Sequence, residues 1–152
     1  MERFPHVLIV EARFYEDIAD ELAKGVTQVL EGAETTYDRV SVPGAFEIPA
    51  AISMAMDSAG LDGGGRPYDG YIALGCVIRG ETTHYDYICA ESARALQELA
   101  VARHAAIGYG ILTVENDEQA WARASVEQKN KGADAAKACL AMMNLRRRFG
   151  IR

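Results

Sequence analysis

His6-Val7-Leu8-Ile9-Val10 is a short apolar run rich in β-branched residues, the pattern of a strand buried on both faces of a parallel sheet. After it the period becomes helical: Ile18, Leu22, Val26, Val29 and Leu30 fall on one stripe, with Gly32 as the expected stop. The unit then repeats. Residues 35–42 alternate as a second strand, Pro43-Gly44 breaks it, and Pro49 suits the first turn of a helix running to about residue 59. Residues 60–70, with Gly63-Gly64-Gly65 and Pro67, read as a flexible surface connector. Residues 71–78 form a third buried strand, and 83–103 a long helix turning Ile88, Ala95, Leu96 and Leu99 to the core. A fourth strand covers 107–114, and helices follow over about 117–125 and 132–149, the last with Ala136, Leu140 and Met143 on one face.

Strands alternating with helices predict an α/β fold: a three-layer αβα sandwich on a four-stranded, mainly parallel sheet of the flavodoxin-like kind, with right-handed crossovers. The length, 152 residues with 49% hydrophobic content, fits one domain over 1–152. Ligands of such sheets bind beyond the carboxyl ends of the strands. Four segments lie there: 11–15, 43–47, 79–84 and 115–117.

Charge narrows the partners. Sixteen Lys and Arg against 22 Asp and Glu leave a net charge of −6, which excludes a broad basic surface for nucleic acid, so any phosphate must be held locally. Arg146-Arg147-Arg148 complements the negative end of the last helix. Cys76, Cys89 and Cys139 are odd in number and widely spaced within apolar stretches, so they read as buried free thiols, neither a disulfide framework nor a zinc site. No apolar run approaches the roughly 18 residues of a membrane span, and the chain opens on a charged, strand-like segment instead of a signal peptide. A reducing, cytoplasmic compartment is expected.

The most informative segment is Gly75-Cys76-Val77-Ile78-Arg79-Gly80-Glu81-Thr82-Thr83-His84-Tyr85-Asp86, where a buried strand passes through glycine into a helix. Thr83 and Asp86 have capping-box spacing, with Asp in place of the usual Glu or Gln. Unpaired amides at a helix start, a positive dipole and two threonine hydroxyls describe a site for a phosphate, or simply a capped helix. His84 in the first turn is favoured as neutral imidazole, suited to proton transfer near pH 7 or to a local hydrogen bond. His6 and His104 read as structural. In Val42-Pro43-Gly44-Ala45-Phe46-Glu47-Ile48-Pro49, two prolines and a glycine fix an irregular backbone, either a plain turn or a pocket wall in which Phe46 lines a flat cavity and Glu47 bonds a polar heterocycle. Phe14, in Arg13-Phe14-Tyr15, could stack on a ring. Asn116 and Gln119 have N-cap and capping-box spacing. Arg123 and Lys131 alone are ordinary solvated charges unless they reach a phosphate.

Together these segments resemble the lumazine synthase family, in the family's order through most of the chain. GCVIRGETTHYDY is the strongest element, supported by VPGAFEIP, GILTVENDEQA and NKGADAAKA. The resemblance implies an enzyme that condenses a ribitylamino-pyrimidinedione with dihydroxybutanone phosphate, needing no metal or redox cofactor. It implies that Phe14 stacks on the pyrimidine, that Ala45, Phe46 and Glu47 bind its ribityl chain, and that Cys76, Val77 and Ile78 border the ring. It further implies that Glu81 and Thr82 receive the phosphate, that His84 is proton donor and acceptor, and that Arg123 faces the phosphate across a subunit boundary. Tyr109 stands where the family has phenylalanine from a neighbouring chain, with Lys131 near that side. The implied assembly is a homo-oligomer, a pentamer or a pair of them (a decamer), with active sites between adjacent subunits, two small-molecule substrates, and neither nucleic acid nor membrane as partner.

Three departures stand out: Tyr15 where asparagine is common, the added hydroxyl of Tyr109, and Ser125-Val126-Glu127-Gln128-Lys129 in place of a glycine-containing kink, which argues against a closed shell. Rival readings fit less well. A nucleotide-binding module would need a Ser, Thr and Gly cluster after the first strand, and no GxGxxG or GxxxxGK[ST] occurs. A phosphoacceptor domain would need clustered aspartates at strand ends. A non-catalytic paralogue would not be expected to keep Thr82, His84 and Arg123 together.

Overall fold

The computed structural model describes residues 4–151. In chain order it holds β1 (His6–Ala12), α1 (Glu16–Gly32), β2 (Thr36–Val42), a single 3₁₀ turn (Ala45–Glu47), α2 (Ile48–Met56), a second 3₁₀ turn (Leu61–Gly63), β3 (Gly70–Ile78), α3 (His84–Arg103), β4 (Ile107–Val114), α4 (Asp117–Ala124) and α5 (Lys131–Arg148). The four strands pair in the order β2-β1-β3-β4, every pair parallel. The expected three-layer, flavodoxin-like architecture is therefore present, and its sheet is wholly parallel.

Strand alternation divides the core. Val7, Ile9, Ile72, Leu74, Leu112 and Val114 meet α1, α4 and α5 on one face; Leu8, Val10, Tyr71, Ala73 and Ile111 meet α2 and α3 on the other. β1 is buried along its whole length, as its unbroken apolar run predicts. β2 has no fully buried residue, because it is an edge strand paired on one side only.

Small residues set the spacing of the α1–α5–β4 layer. A Cβ on Gly132 would lie 2.2 Å from the Leu22 carbonyl oxygen, and one on Gly108 would lie 2.0 Å from that of Ala135. Backbone touches backbone at both points, which accounts physically for the glycines at 108 and 132.

Several boundaries differ from the sequence reading. Gly32 is the last residue of α1, and the left-handed conformation falls on Glu34 (φ 52°) while the Thr35 amide returns to the Leu30 carbonyl at 2.9 Å. α2 stops at Met56, where Ser58 Oγ donates to the Ala55 carbonyl and Asp57 is bound by Arg103. Of the three cysteines only Cys139 is fully buried; Cys76 and Cys89 are half-buried. α3 buries only Ser92 and Leu96. His6 packs into the fold, stacked on Tyr68 and bonded through its ring to Thr36 and Asp38. Among the described residues no helix is long and apolar enough to cross a membrane.

Candidate active site

All four strands end on the same side of the sheet, since Ala12 pairs with Val42 and Ile78 with Val114. The residues singled out in the sequence lie at or just beyond those ends. After β1, Phe14 is 76% exposed and touches Tyr15 edge-on, with ring centroids 4.9 Å apart. After β2, the chain does not make a plain turn. Gly44 is extended, Ala45–Glu47 form the 3₁₀ turn, and Pro49 occupies the first turn of α2. Ala45 is buried, and its Cβ would stand 3.8 Å from a Cβ on Gly75, beside Ala12 and Ile48. These are ordinary van der Waals separations, and the buried Ala45 holds the second loop against the sheet, leaving Phe46 outward at 54% exposure and Glu47 half-buried.

Cys76, Val77 and Ile78 close β3, all half-buried. Cys76 faces α1 and α4, where burial pushes its thiol up to about 12, with the Asp117 carboxylate adding to the shift. Val77 faces α2 and α3. Glu81 and Thr82 are exposed in the connection to α3, and His84 is that helix's first residue, also exposed.

The capping box read from Thr83 and Asp86 does not form. Thr83 already has helical angles (φ −75°, ψ −1°) and its side chain caps nothing. Thr82 Oγ1 instead accepts from the His84 amide at 3.3 Å, and the Asp86 carboxylate turns to Arg79, 3.5 Å away. A full positive charge attracts Asp86 more strongly than a backbone amide does. The second predicted cap is present: Asn116 Oδ1 accepts from the Gln119 amide at 2.9 Å, and Gln119 Oε1 accepts from the Glu115 amide at 2.7 Å.

Tyr109, Arg123 and Lys131 gather elsewhere. They line one open cavity of about 510 Å³ along the outer edge of β4, with Thr113 and Asp134, and no other predicted site residue lines it. Arg123 Nη1 donates to the Gln119 carbonyl at 3.1 Å, and burial raises the Tyr109 phenol. The predicted residues thus form two groups: one around the strand ends, one on the open edge of the sheet.

The chemistry-bearing segments lie where a parallel sheet binds its ligands, and the model of the 6,7-dimethyl-8-ribityllumazine synthase family matches residues 5–147. The chain belongs to that family. The lumazine synthase 1 of Rhizobium meliloti (strain 1021) is 59% identical over 145 residues, covering 95% of this chain and 94% of the relative. A lumazine synthase of Agrobacterium fabrum is 58% identical over 146 residues, covering 96% and 97%, and one of Bartonella tribocorum is 56% identical over 150 residues, covering 99% and 95%.

Exposed aromatic rings on the loops after β1 and β2, with hydroxyl, carboxylate and imidazole groups at the start of α3, are the group types that can seat a flat heterocycle beside an anion. Among the described residues no group of three or more His, Cys, Asp or Glu side chains is arranged to hold a metal ion. Sequence reasoning missed two features. Arg79 lies over the Tyr85 ring, 4.3 Å from its centroid, and also bonds Glu115. Glu11, 3% exposed, accepts from both Arg13 and Arg39. A carboxylate at the end of an otherwise apolar buried strand was the signal for the second.

Proposed function

We propose that this chain condenses 5-amino-6-ribitylaminopyrimidinedione with 3,4-dihydroxy-2-butanone 4-phosphate to give 6,7-dimethyl-8-ribityllumazine, releasing phosphate and water, as the penultimate step of riboflavin biosynthesis. The observation that carries the reading is the convergence of the Phe14, Ala45–Glu47, Cys76–Ile78 and Glu81–His84 segments at one end of the sheet, in a chain of this family. Phe14 stacks on the pyrimidine, Ala45, Phe46 and Glu47 hold the ribityl chain, and Cys76, Val77 and Ile78 border the ring. The neutral thiol of Cys76 suits an uncharged edge of the heterocycle. Glu81 and Thr82 receive the phosphate at the start of α3.

The pyrimidine amine attacks the ketone and loses water to an imine, phosphate leaves by elimination to an enol that tautomerises to a carbonyl, and the second nitrogen attacks that carbonyl and loses a second water to close the new ring. His84 moves the protons, a contribution of about 10²- to 10⁴-fold. Holding two reactants together supplies much of the remaining acceleration.

The chain works as a homopentamer, alone or paired as a decamer, with each active site completed by the adjacent subunit. Supporting this, Tyr109, Arg123 and Lys131 lie apart from the strand-end group on an open edge, and α3 leaves most of its surface exposed, Tyr87 and Val101 included. From that position Arg123 would face a neighbour's phosphate, with Tyr109 against its ring and Lys131 nearby. The three unpaired cysteines support a reducing, cytoplasmic compartment.

The test is incubation of purified protein with both substrates, following lumazine absorbance and phosphate release. A protein-dependent rate, weakened in His84→Ala, is expected. No rate from a folded oligomer that still binds riboflavin would overturn the reading in favour of a binding paralogue.

A further inference from the structure

Glu11 occupies a costly position. It sits at 3% exposure on the face of β1 that it shares with Val7 and Ile9, where an apolar residue would avoid the desolvation of a carboxylate. Its charge is met by three donors: Arg39 Nε at 2.7 Å and Nη2 at 3.0 Å, and Arg13 Nη1 at 2.8 Å. Arg13 does not stop there. Its Nη2 also donates to Glu16 at 2.9 Å and to Asp20, so one guanidinium joins the end of β1 to the first turns of α1. Phe14 lies between those anchors. Its ring is largely exposed, and its one close aromatic neighbour is Tyr15, so the backbone on either side must set where it points. Arg39 lies on β2, the edge strand that runs directly into residues 43–47, and pairs in register with Ile9.

We propose that Glu11, with Arg13 and Arg39, is a positioning device that locks the Phe14 loop and the Ala45–Glu47 loop to one another, and so sets the pocket for the pyrimidine. This rests on the roles proposed above for Phe14, Phe46 and Glu47. None of the three residues touches substrate. The bidentate Arg39–Glu11 pair fixes orientation as well as distance, which is the property a stacking platform requires and an apolar core contact lacks.

The experiment measures KM for each substrate, kcat and the thermal midpoint in Phe14→Ala, Glu11→Leu, Arg39→Gln and Arg39→Lys. Displacement of a binding group by about 1 Å costs up to about 10²-fold, so Glu11→Leu and Arg39→Gln are expected to raise KM for the pyrimidine about tenfold. KM for the butanone phosphate stays within about twofold. Arg39→Lys keeps the charge but loses the fork, and recovers only part of the loss. Glu11→Leu removes the carboxylate but leaves the Arg13 and Arg39 guanidiniums without it, so its thermal midpoint is expected to fall; the rise in KM for one substrate alone is what separates positioning from stability. Arg39 is 43% exposed and its variants carry the test if Glu11→Leu does not fold. If Phe14→Ala raises the pyrimidine KM while the Glu11 and Arg39 variants do not, the positioning role is overturned and the Phe14 reading stands. Equal rises in both KM values would reduce the network to a structural brace and overturn the proposal. An unchanged pyrimidine KM in Phe14→Ala would overturn the stacking reading, and the proposal with it.

Discussion

The Arg79 guanidinium stands over the Tyr85 ring, 4.3 Å from its centroid, while its Nε reaches Glu115 at 2.9 Å. One side chain thus braces the start of α3, where His84 sits, against the segment leading into α4, where Arg123 sits. The network is solvent-exposed, so its effect should be on geometry more than on stability. Arg79→Gln is expected to raise KM for the butanone phosphate severalfold with little change in melting temperature; an unchanged KM in steady-state assays would remove the brace from the account.

His84 is exposed at the first position of α3. His84→Ala is expected to slow turnover by about 10²- to 10⁴-fold without abolishing it, because proximity of the two substrates persists. Single-turnover rates with both substrates saturating will measure this. Complete loss in a folded variant that still binds ligand would contradict it.

Arg123 lies on the open edge of the sheet with Tyr109 and Lys131. Losing a charge-assisted bond to phosphate costs about 1.5–3 kcal/mol, so Arg123→Gln should raise KM for the phosphate substrate by roughly one to two powers of ten. Co-assembly of Arg123→Gln with His84→Ala chains is a sharper test. If each site spans one boundary in a ring, random mixing restores roughly a quarter of the sites; mixed assemblies no more active than their parents would place both residues in the same subunit's site.

Gly132 lets α5 approach α1 until a Cβ would stand 2.2 Å from the Leu22 carbonyl oxygen. Backbone cannot move aside as a flexible side chain can. Gly132→Ala is expected to destabilise by about 1–3 kcal/mol or more, read from urea midpoints, whereas Gly32→Ala, with open space around its Cβ position, should be neutral or stabilising.

Burial pushes both Cys76 and Cys139 up to about 12 from 9.0. Raised values keep the folded thiols protonated while the unfolded chain ionises near 9. Their contribution to stability is therefore full below pH 9 and is lost as pH rises from 9 towards 12. Native protein at pH 8 should react slowly with iodoacetamide at both positions and rapidly in urea, as peptide mapping will show. Rapid native labelling of Cys139 would contradict its burial.

Much of this molecule was legible in its local patterns. Residues 107–114 emerge as β4 without adjustment, and Asn116 and Gln119 cap α4, because hydrophobic period and capping depend on neighbours a few positions away. The strand-end rule marked out the candidate segments for the same reason: once strands and helices are known to alternate, the loops at the carboxyl ends follow. Thr83 failed as a cap because its backbone is already helical and its carbonyl accepts the Asp86 amide, while the Asp86 carboxylate turns to Arg79 in the connection after β3.

What the sequence determined by itself was the order and type of the elements and most of the residues on their core faces, since those are set by periodicity and turn chemistry within a few residues. The tertiary structure alone decided that Arg39 meets Glu11 across a separation of 28 residues, that Ala45 packs beside Ala12 and Ile48, and that Tyr109, Arg123 and Lys131 share an open edge. Those meetings depend on the order and register in which distant strands pair, and the pairing energy lies in packing and charge contacts that exist only once the chain has closed on itself.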